Sequence, residues 1–287
     1  MAEDYLDFGF AIVGVQKAGT STLSQTLNWH PHVCRAPRKE MRFFVREDLD
    51  WADPPYERYR AVRTKPQQRI AGDASPLYLW WPHALERMCR YNPDMRLVAI
   101  FRDPIERAFS HWLMMRGRNP RRRPDWPTMV RDHLPAGLPA ELPGGMTPAE
   151  IKGEYSAISR GLYAAQLERG LATYPREQWL LLEFRSMLAD LPTTVHRVTD
   201  HLGIRRFHDV PPLRQAMAAP ESVTGTPPTA AEVATLAEVY AEDLARFADL
   251  SGLDVSAWPT RRILDGGLDP GELASRLGAK VVAHGLA

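Results

Sequence analysis

Phe8-Gly-Phe-Ala-Ile-Val-Gly-Val-Gln-Lys-Ala-Gly-Thr-Ser-Thr-Leu-Ser-Gln25 decides the fold. An apolar run ends at Val15, a turn of small residues carries Lys17, and Thr20, Ser21 and Thr22 open a helical pattern. This is a strand, a tight loop and a helix start. Backbone N–H groups and the positive end of the helix dipole converge there, which suits a phosphate or sulfate. A nucleoside-triphosphate loop reads G-x-x-x-x-G-K-[ST]. Gly14, Gly19 and Ser21 keep that frame, but Thr20 stands at the lysine position and the lysine lies upstream at Lys17. The γ-phosphate clamp of an ATPase is absent in its usual form. A loop for a 5′-phosphate fits better, and an ordinary strand-to-helix turn stays open on this stretch alone.

A second stretch runs Leu97-Val-Ala-Ile-Phe-Arg-Asp-Pro-Ile-Glu-Arg-Ala-Phe-Ser-His-Trp112. A buried-type strand ends at Phe101, Arg102-Asp103-Pro104 turns, and Pro104 suits a first helical position. Arg102 and Ser110 are placed to reach one phosphate, the first by a forked contact and the second by its hydroxyl. Helix capping by an Arg-Asp pair explains the turn equally well.

Together the two stretches resemble the sulfotransferases that use 3′-phosphoadenosine 5′-phosphosulfate (PAPS), most of all the heparan sulfate branch and its bacterial relatives. Lys39-Glu40-Met41-Arg42-Phe43-Phe44 resembles its K-E-x-H-F-F stretch. Asp73-Ala74-Ser75-Pro76-Leu77-Tyr78 resembles E-K-T-P-x-Y, and Ser159-Arg160-Gly161-Leu162-Tyr163, with Gln166 and Leu167, resembles S-x-x-L-Y. The likeness runs over about residues 8–258.

The resemblance implies an open parallel sheet flanked by helices, a P-loop-type α/β fold, with PAPS as co-substrate, PAP as product and no metal. It implies that Gln16, Lys17, Ala18, Gly19, Thr20, Ser21 and Thr22 hold the 5′-phosphosulfate and that Arg102 and Ser110 hold the 3′-phosphate. Tyr163 is a further expected nucleotide contact, and Ser222, Thr224 and nearby backbone N–H groups are the candidates to substitute for a family loop this chain lacks. Glu40 is the expected general base, with Lys17 neutralising the leaving group. Pairing of Glu40 with Lys39 or Arg42 on the surface is the bland alternative. Arg42, Phe44, Tyr78, Trp80 and Trp81 are expected to meet the acceptor, the aromatic ones as a wall; core packing explains those rings as well. Three departures matter. Ala74 replaces a lysine, Arg42 replaces a histidine, and residues 214–228 lack the family's basic glycine loop, leaving Arg214 upstream. The first two imply an acceptor unlike heparan sulfate. A P-loop kinase of a small substrate, or a nucleotide-binding protein without turnover, remains the alternative.

Composition bounds the rest. The chain has 287 residues, 44% hydrophobic and 25% charged, with net charge +1, so nothing pulls it globally toward nucleic acid or an anionic membrane. Cys34 and Cys89 are too few for a disulfide framework and read as reduced thiols. The acidic start Met-Ala-Glu-Asp is unlike a signal peptide and no apolar run is long enough to span a bilayer. A cytoplasmic protein is expected, unlike the Golgi-anchored animal relatives. High Arg, Ala and Pro usage suggests a bacterium and a natural-product, glycolipid or other glycan hydroxyl as acceptor. Oligomeric state is not written in the sequence.

Strands are predicted at 8–15, 97–101 and 179–184, and helices at about 20–29, 83–90, 104–116, 160–173, 192–202, 230–250 and 269–278. One α/β domain over 1–260 is expected, with a Pro/Arg/Gly-rich insertion at about 117–153 and an extension at 261–287. The insertion, with a short helix around 126–134, is either an acceptor-binding lid or a solvated loop. His30 and His32 read as structural.

Overall fold

The computed structural model describes residues 4–120, 123–134, 156–212, 220 and 222–282. Most of the 117–153 insertion, Arg214 and the first half of the 214–228 segment therefore lie outside the described residues. The chain forms two compact units, Met1–Phe101 with Arg169–Met217, and Arg102–Glu168 with Ala218–Ala287.

The first unit is built on β1 (Tyr5–Gly14). Strands β4 (Ile70–Ala74) and β5 (Arg96–Phe101) pair with it in parallel on either side. Beyond them lie β2 (Val33–Arg35) and β6 (Trp179–Glu183), giving the order β2-β4-β1-β5-β6. The chain leaves β1 toward β4 and returns on its other side at β5. That reversal is where open α/β sheets bind ligands, at the carboxyl ends of the strands. Phe8 and Phe10 to Val13 are buried because such a sheet is covered on both faces. Helices α1 (Thr20–Leu27), α2 (Ala84–Tyr91), α6 (Phe184–Ala189) and α7 (Leu191–His201) belong to this unit.

Sequence periodicity placed β1, β5 and β6 to within a few residues. β1 starts three residues earlier than predicted, because Tyr5, Leu6 and Asp7 pair antiparallel with β3 (Arg60–Val62). β2, β3 and β4 carry too little apolar sequence to stand out. β4 reads Ile-Ala-Gly-Asp-Ala, and its Gly72 makes room for a neighbour. A Cβ there would lie 2.0–2.3 Å from ring atoms of Phe10.

The second unit contains α3 (Pro104–Arg118), α4 (Trp126–His133), α8 (Ala230–Ser251), α9 (Pro259–Leu264) and α10 (Pro270–Gly278). Helix α5 (Tyr163–Thr173) follows a 3-10 turn at Ser159–Gly161, so the helix predicted from 160 starts later. Thr229 and Glu232 form a reciprocal capping box at the start of α8, and Gly252 ends it in the left-handed region. Ile105, Phe109, Trp112, Trp126, Leu236 and Tyr240 share one core with Leu273 and Leu277 of α10. The described part of the segment expected as an extension, residues 261–282, is thus packed into this unit. A short parallel pair, β7 (Val223–Thr224) and β8 (Val281–Val282), ties it down further.

Candidate active site

The loop from β1 to α1 has the form its sequence demands. Val15 N donates to Ile100 O at 2.8 Å, and Ala18 N donates to Val15 O at 3.2 Å. Gly19 caps α1 at φ +85°, and a Cβ there would lie 2.4 Å from Met187 Cε. Gly19 contributes no side-chain cap, and no acidic residue lies in the first turn of α1. The N–H groups that open a helix have no intrahelical acceptor, so this end favours an anion. Two lysines stand near it in the chain's own geometry. Lys17 is half-buried in the loop, and Lys39 donates from Nζ to Ser21 Oγ at 2.5 Å. A cation drawn to the positive end of a helix is unfavourable by roughly 0.3–1 kcal/mol unless a negative group joins it. Lys39 was not among the residues predicted for the nucleotide; its place beside Glu40 in the K-E stretch was the available signal.

Among the described residues, the non-glycine positions with positive φ are Lys17 at 76°, Glu40 at 54° and Arg42 at 53°. All three were predicted as site residues from sequence. Such conformations cost about 1–3 kcal/mol each and gather at functional sites. Glu40 is about one-fifth exposed and Arg42 about half. Arg42 holds the Glu40 carboxylate through Nε at 2.8 Å and through Nη2. The predicted base is therefore paired with the predicted acceptor residue.

Three consecutive amides after Glu40 are bonded to side chains from β4 and the turn that follows. Met41 N donates to Asp73 Oδ1 at 3.2 Å, Arg42 N to Ser75 Oγ at 3.1 Å and Phe43 N to the Tyr78 hydroxyl at 3.0 Å. Asp73 is fully buried. Burial pushes its carboxyl up, against the hydrogen bonds of Tyr78, Met41, Ser75 and Tyr59.

The aromatic wall expected for the acceptor needs correction. Phe44, Tyr78, Trp80 and Trp81 are all buried. The Phe44 ring packs against Tyr59, Tyr78 and Tyr91. Trp81 Nε1 donates to Glu47 Oε1 at 2.7 Å, and Arg87 holds the same carboxylate at 2.7 Å. Their buried apolar area, with the Tyr78 hydroxyl and Trp81 Nε1 hydrogen-bonded, gives these rings an interior role. His30 is structural as expected: it is buried, with Nε2 2.7 Å from Arg205 O and Nδ1 accepting from His32 N.

The second unit carries the residues predicted for the 3′-phosphate. Asp103 caps α3 by accepting from Glu106 N at 2.9 Å, and its other oxygen accepts from Thr260 N at 2.7 Å. Arg102, one residue earlier, lies 3.6 Å from Glu106 through Nε. Its carbonyl accepts from the Tyr163 hydroxyl at 2.8 Å, so Tyr163 fixes the backbone of Arg102. Ser110 is buried on α3. Ser222 and Thr224 are exposed, and the Thr224 carbonyl accepts from Arg116 Nε at 3.0 Å. Among the described residues no His, Cys, Asp and Glu group is arranged to hold a metal, and no helix is long and apolar enough to cross a membrane.

A parallel sheet whose strand order reverses on the two sides of β1, with a strand–loop–helix at that point, defines the class: an open α/β protein. More narrowly, the chain belongs to the sulfotransferase family, whose sulfotransferase domain matches residues 9–211. It is 31% identical over 203 residues to human heparan sulfate glucosamine 3-O-sulfotransferase 3B1, a match covering 68% of this chain and 46% of that protein. Human heparan sulfate glucosamine 3-O-sulfotransferase 6 is 30% identical over 199 residues, covering 68% and 52%. The chain thus spans about half the length of the curated relatives it matches. A solved sulfotransferase from Alicyclobacillus acidocaldarius superposes with TM-score 0.67 at 26% identity, covering 88% of this chain and 99% of that one.

Proposed function

We propose that the protein transfers a sulfuryl group from PAPS to a hydroxyl of a glycan or small molecule. The observation that carries this reading is the coincidence of the strained positions with the residues the chemistry wants: Lys17, Glu40 and Arg42. Transfer breaks the bridging O–S bond, whose electron pair goes to the 5′-phosphate, and forms a bond from sulfur to the acceptor oxygen. The acceptor hydroxyl gives up its proton to the Glu40 carboxylate. Lys17 and the first-turn N–H groups of α1, from Thr20, Ser21 and Thr22, offset charge growing on the leaving phosphate. Arg102 and Ser110 bind the 3′-phosphate, which separates this nucleotide from ATP. Arg42 hands Glu40 over as the acceptor binds. The relatives named for heparan sulfate favour a sugar hydroxyl, whereas Ala74 and Arg42 point to a sugar or small molecule of different charge pattern. The cytoplasm, where PAPS is made, is the compartment this donor favours.

Calorimetry tests the donor. PAP should bind in clear preference to ATP, and equal affinity would sink the reading. Glu40→Gln should leave PAP binding intact and lower turnover at least 100-fold, within the range general base catalysis supplies, roughly 10²–10⁴. An unchanged rate would remove Glu40 as base.

A further inference from the structure

We propose that Asp73, Ser75 and Tyr78 are positioning residues for Glu40, holding its segment in the conformation that presents the carboxylate. The inference rests on Glu40 being the base. Its basis is the direction of each hydrogen bond. A backbone N–H only donates, so Ser75 Oγ must accept from Arg42 N, and the hydroxyl's own proton is left for Asp73, 3.0 Å from both carboxylate oxygens. In the same way Tyr78 accepts from Phe43 N and gives its proton to Asp73 Oδ2 at 2.6 Å. Met41 N reaches Asp73 directly, and the Tyr59 hydroxyl donates to Oδ2 at 3.1 Å. The amides of residues 41, 42 and 43 are thus all drawn, directly or through one hydroxyl, to a single buried carboxylate.

Such a cluster answers a need the backbone creates. Glu40 and Arg42 sit in the left-handed region on either side of Met41, a conformation their side chains disfavour. Without fixed acceptors at 41–43 the segment would relax and Glu40 would lose its aim. Neither the carboxylate of Asp73 nor the two hydroxyls needs to touch donor or acceptor for this.

The test uses variants that keep Asp73, since Asp73→Asn strands buried donors and risks the fold. Ser75→Ala and Tyr78→Phe each remove one relay. Amide hydrogen exchange should rise at least tenfold at residues 41–43 in each variant, while the amides of β1 and β5 keep their protection. PAP affinity should change less than twofold. PAP release from PAPS, with water as acceptor, should fall at least tenfold. In a Glu40→Gln background the same substitutions should cost nothing further, because a residue acting through Glu40 has no effect once Glu40 is gone. Unchanged exchange at 41–43, or a rate loss that persists at full size in the Glu40→Gln background, overturns the inference. A Glu40→Gln protein with full activity instead sinks the reading of Glu40, and leaves the exchange result to stand or fall separately.

Discussion

Gly19→Ala probes the loop on which nucleotide binding depends. Two costs arise at once. The added Cβ falls 2.4 Å from Met187 Cε and 3.0 Å from Phe184 Cε2, inside contact distance of both. Met187 ends in a flexible group and can move; the Phe184 ring is the harder obstacle. Overpacking of this kind costs about 1–3 kcal/mol. The backbone at φ +85° adds about 1–2 kcal/mol for any residue with a side chain. The sum is about 2–5 kcal/mol, which for a protein of this size lowers Tm on the order of 5–15 °C. Thermal unfolding of the purified variant reads this directly. Met187→Ala alone opens a cavity, so the informative quantity is the coupling in the double variant, which should recover the Met187 part of the steric share, about 1 kcal/mol, and neither the Phe184 part nor the backbone share. PAP affinity should drop at least tenfold at a temperature where the variant is folded, because the loop N–H groups shift with Gly19. A Tm within 2 °C of the parent (roughly 1 kcal/mol or less), with no coupling to Met187, would refute the packing argument.

Two further outcomes follow from other parts of the structure. Burial pushes the Glu47 carboxyl up, but hydrogen bonds from Arg87 and Trp81 and the Arg87 charge bring it net below the usual carboxylate range. Its contribution to stability is therefore complete above that range and is lost as pH falls through the depressed value. Glu47→Gln should flatten the decline of stability below about pH 4.3, measured by urea unfolding across pH; an unaltered acid limb would contradict the assignment. Tyr163→Phe removes the hydroxyl that holds the Arg102 carbonyl. It should cost about 1–2 kcal/mol in urea unfolding and weaken PAP binding several-fold in calorimetry. Unchanged binding would make Tyr163 a packing residue only.

The sheet was legible where the chain advertises itself. β1, β5 and β6 are continuous apolar runs buried on both faces, and α8 shows both its stripe and its capping box. β2 and β3 are three residues each, and β4 includes Gly72 and Asp73, so no periodicity survives. The turn from β1 into α1 was readable as a strand-to-helix connection because glycine, threonine and serine are favoured where a helix starts. The role of Asp73 was not. Its links to residues 41, 42 and 43 run to backbone amides, directly at Met41 and through the Ser75 and Tyr78 hydroxyls at the other two, and amides leave no mark in side-chain identity; Tyr59 comes from a turn 14 residues away. Phe44, Tyr78 and Trp81 misled because an aromatic near a reactive residue in sequence is as readily its foundation as its surface.

The shared cap at Asp103 constrains how this chain can vary. One carboxylate closes the start of α3 and also receives the amide of Thr260 in α9, so two helices distant in sequence are indexed to the same atom pair. Gaining or losing a residue just ahead of Pro259 would pull on that carboxylate and, through it, on the neighbouring Arg102. Length is therefore fixed at a place where no reactive group stands, and descendants of this chain can change loops elsewhere far more freely than the spacing into α9.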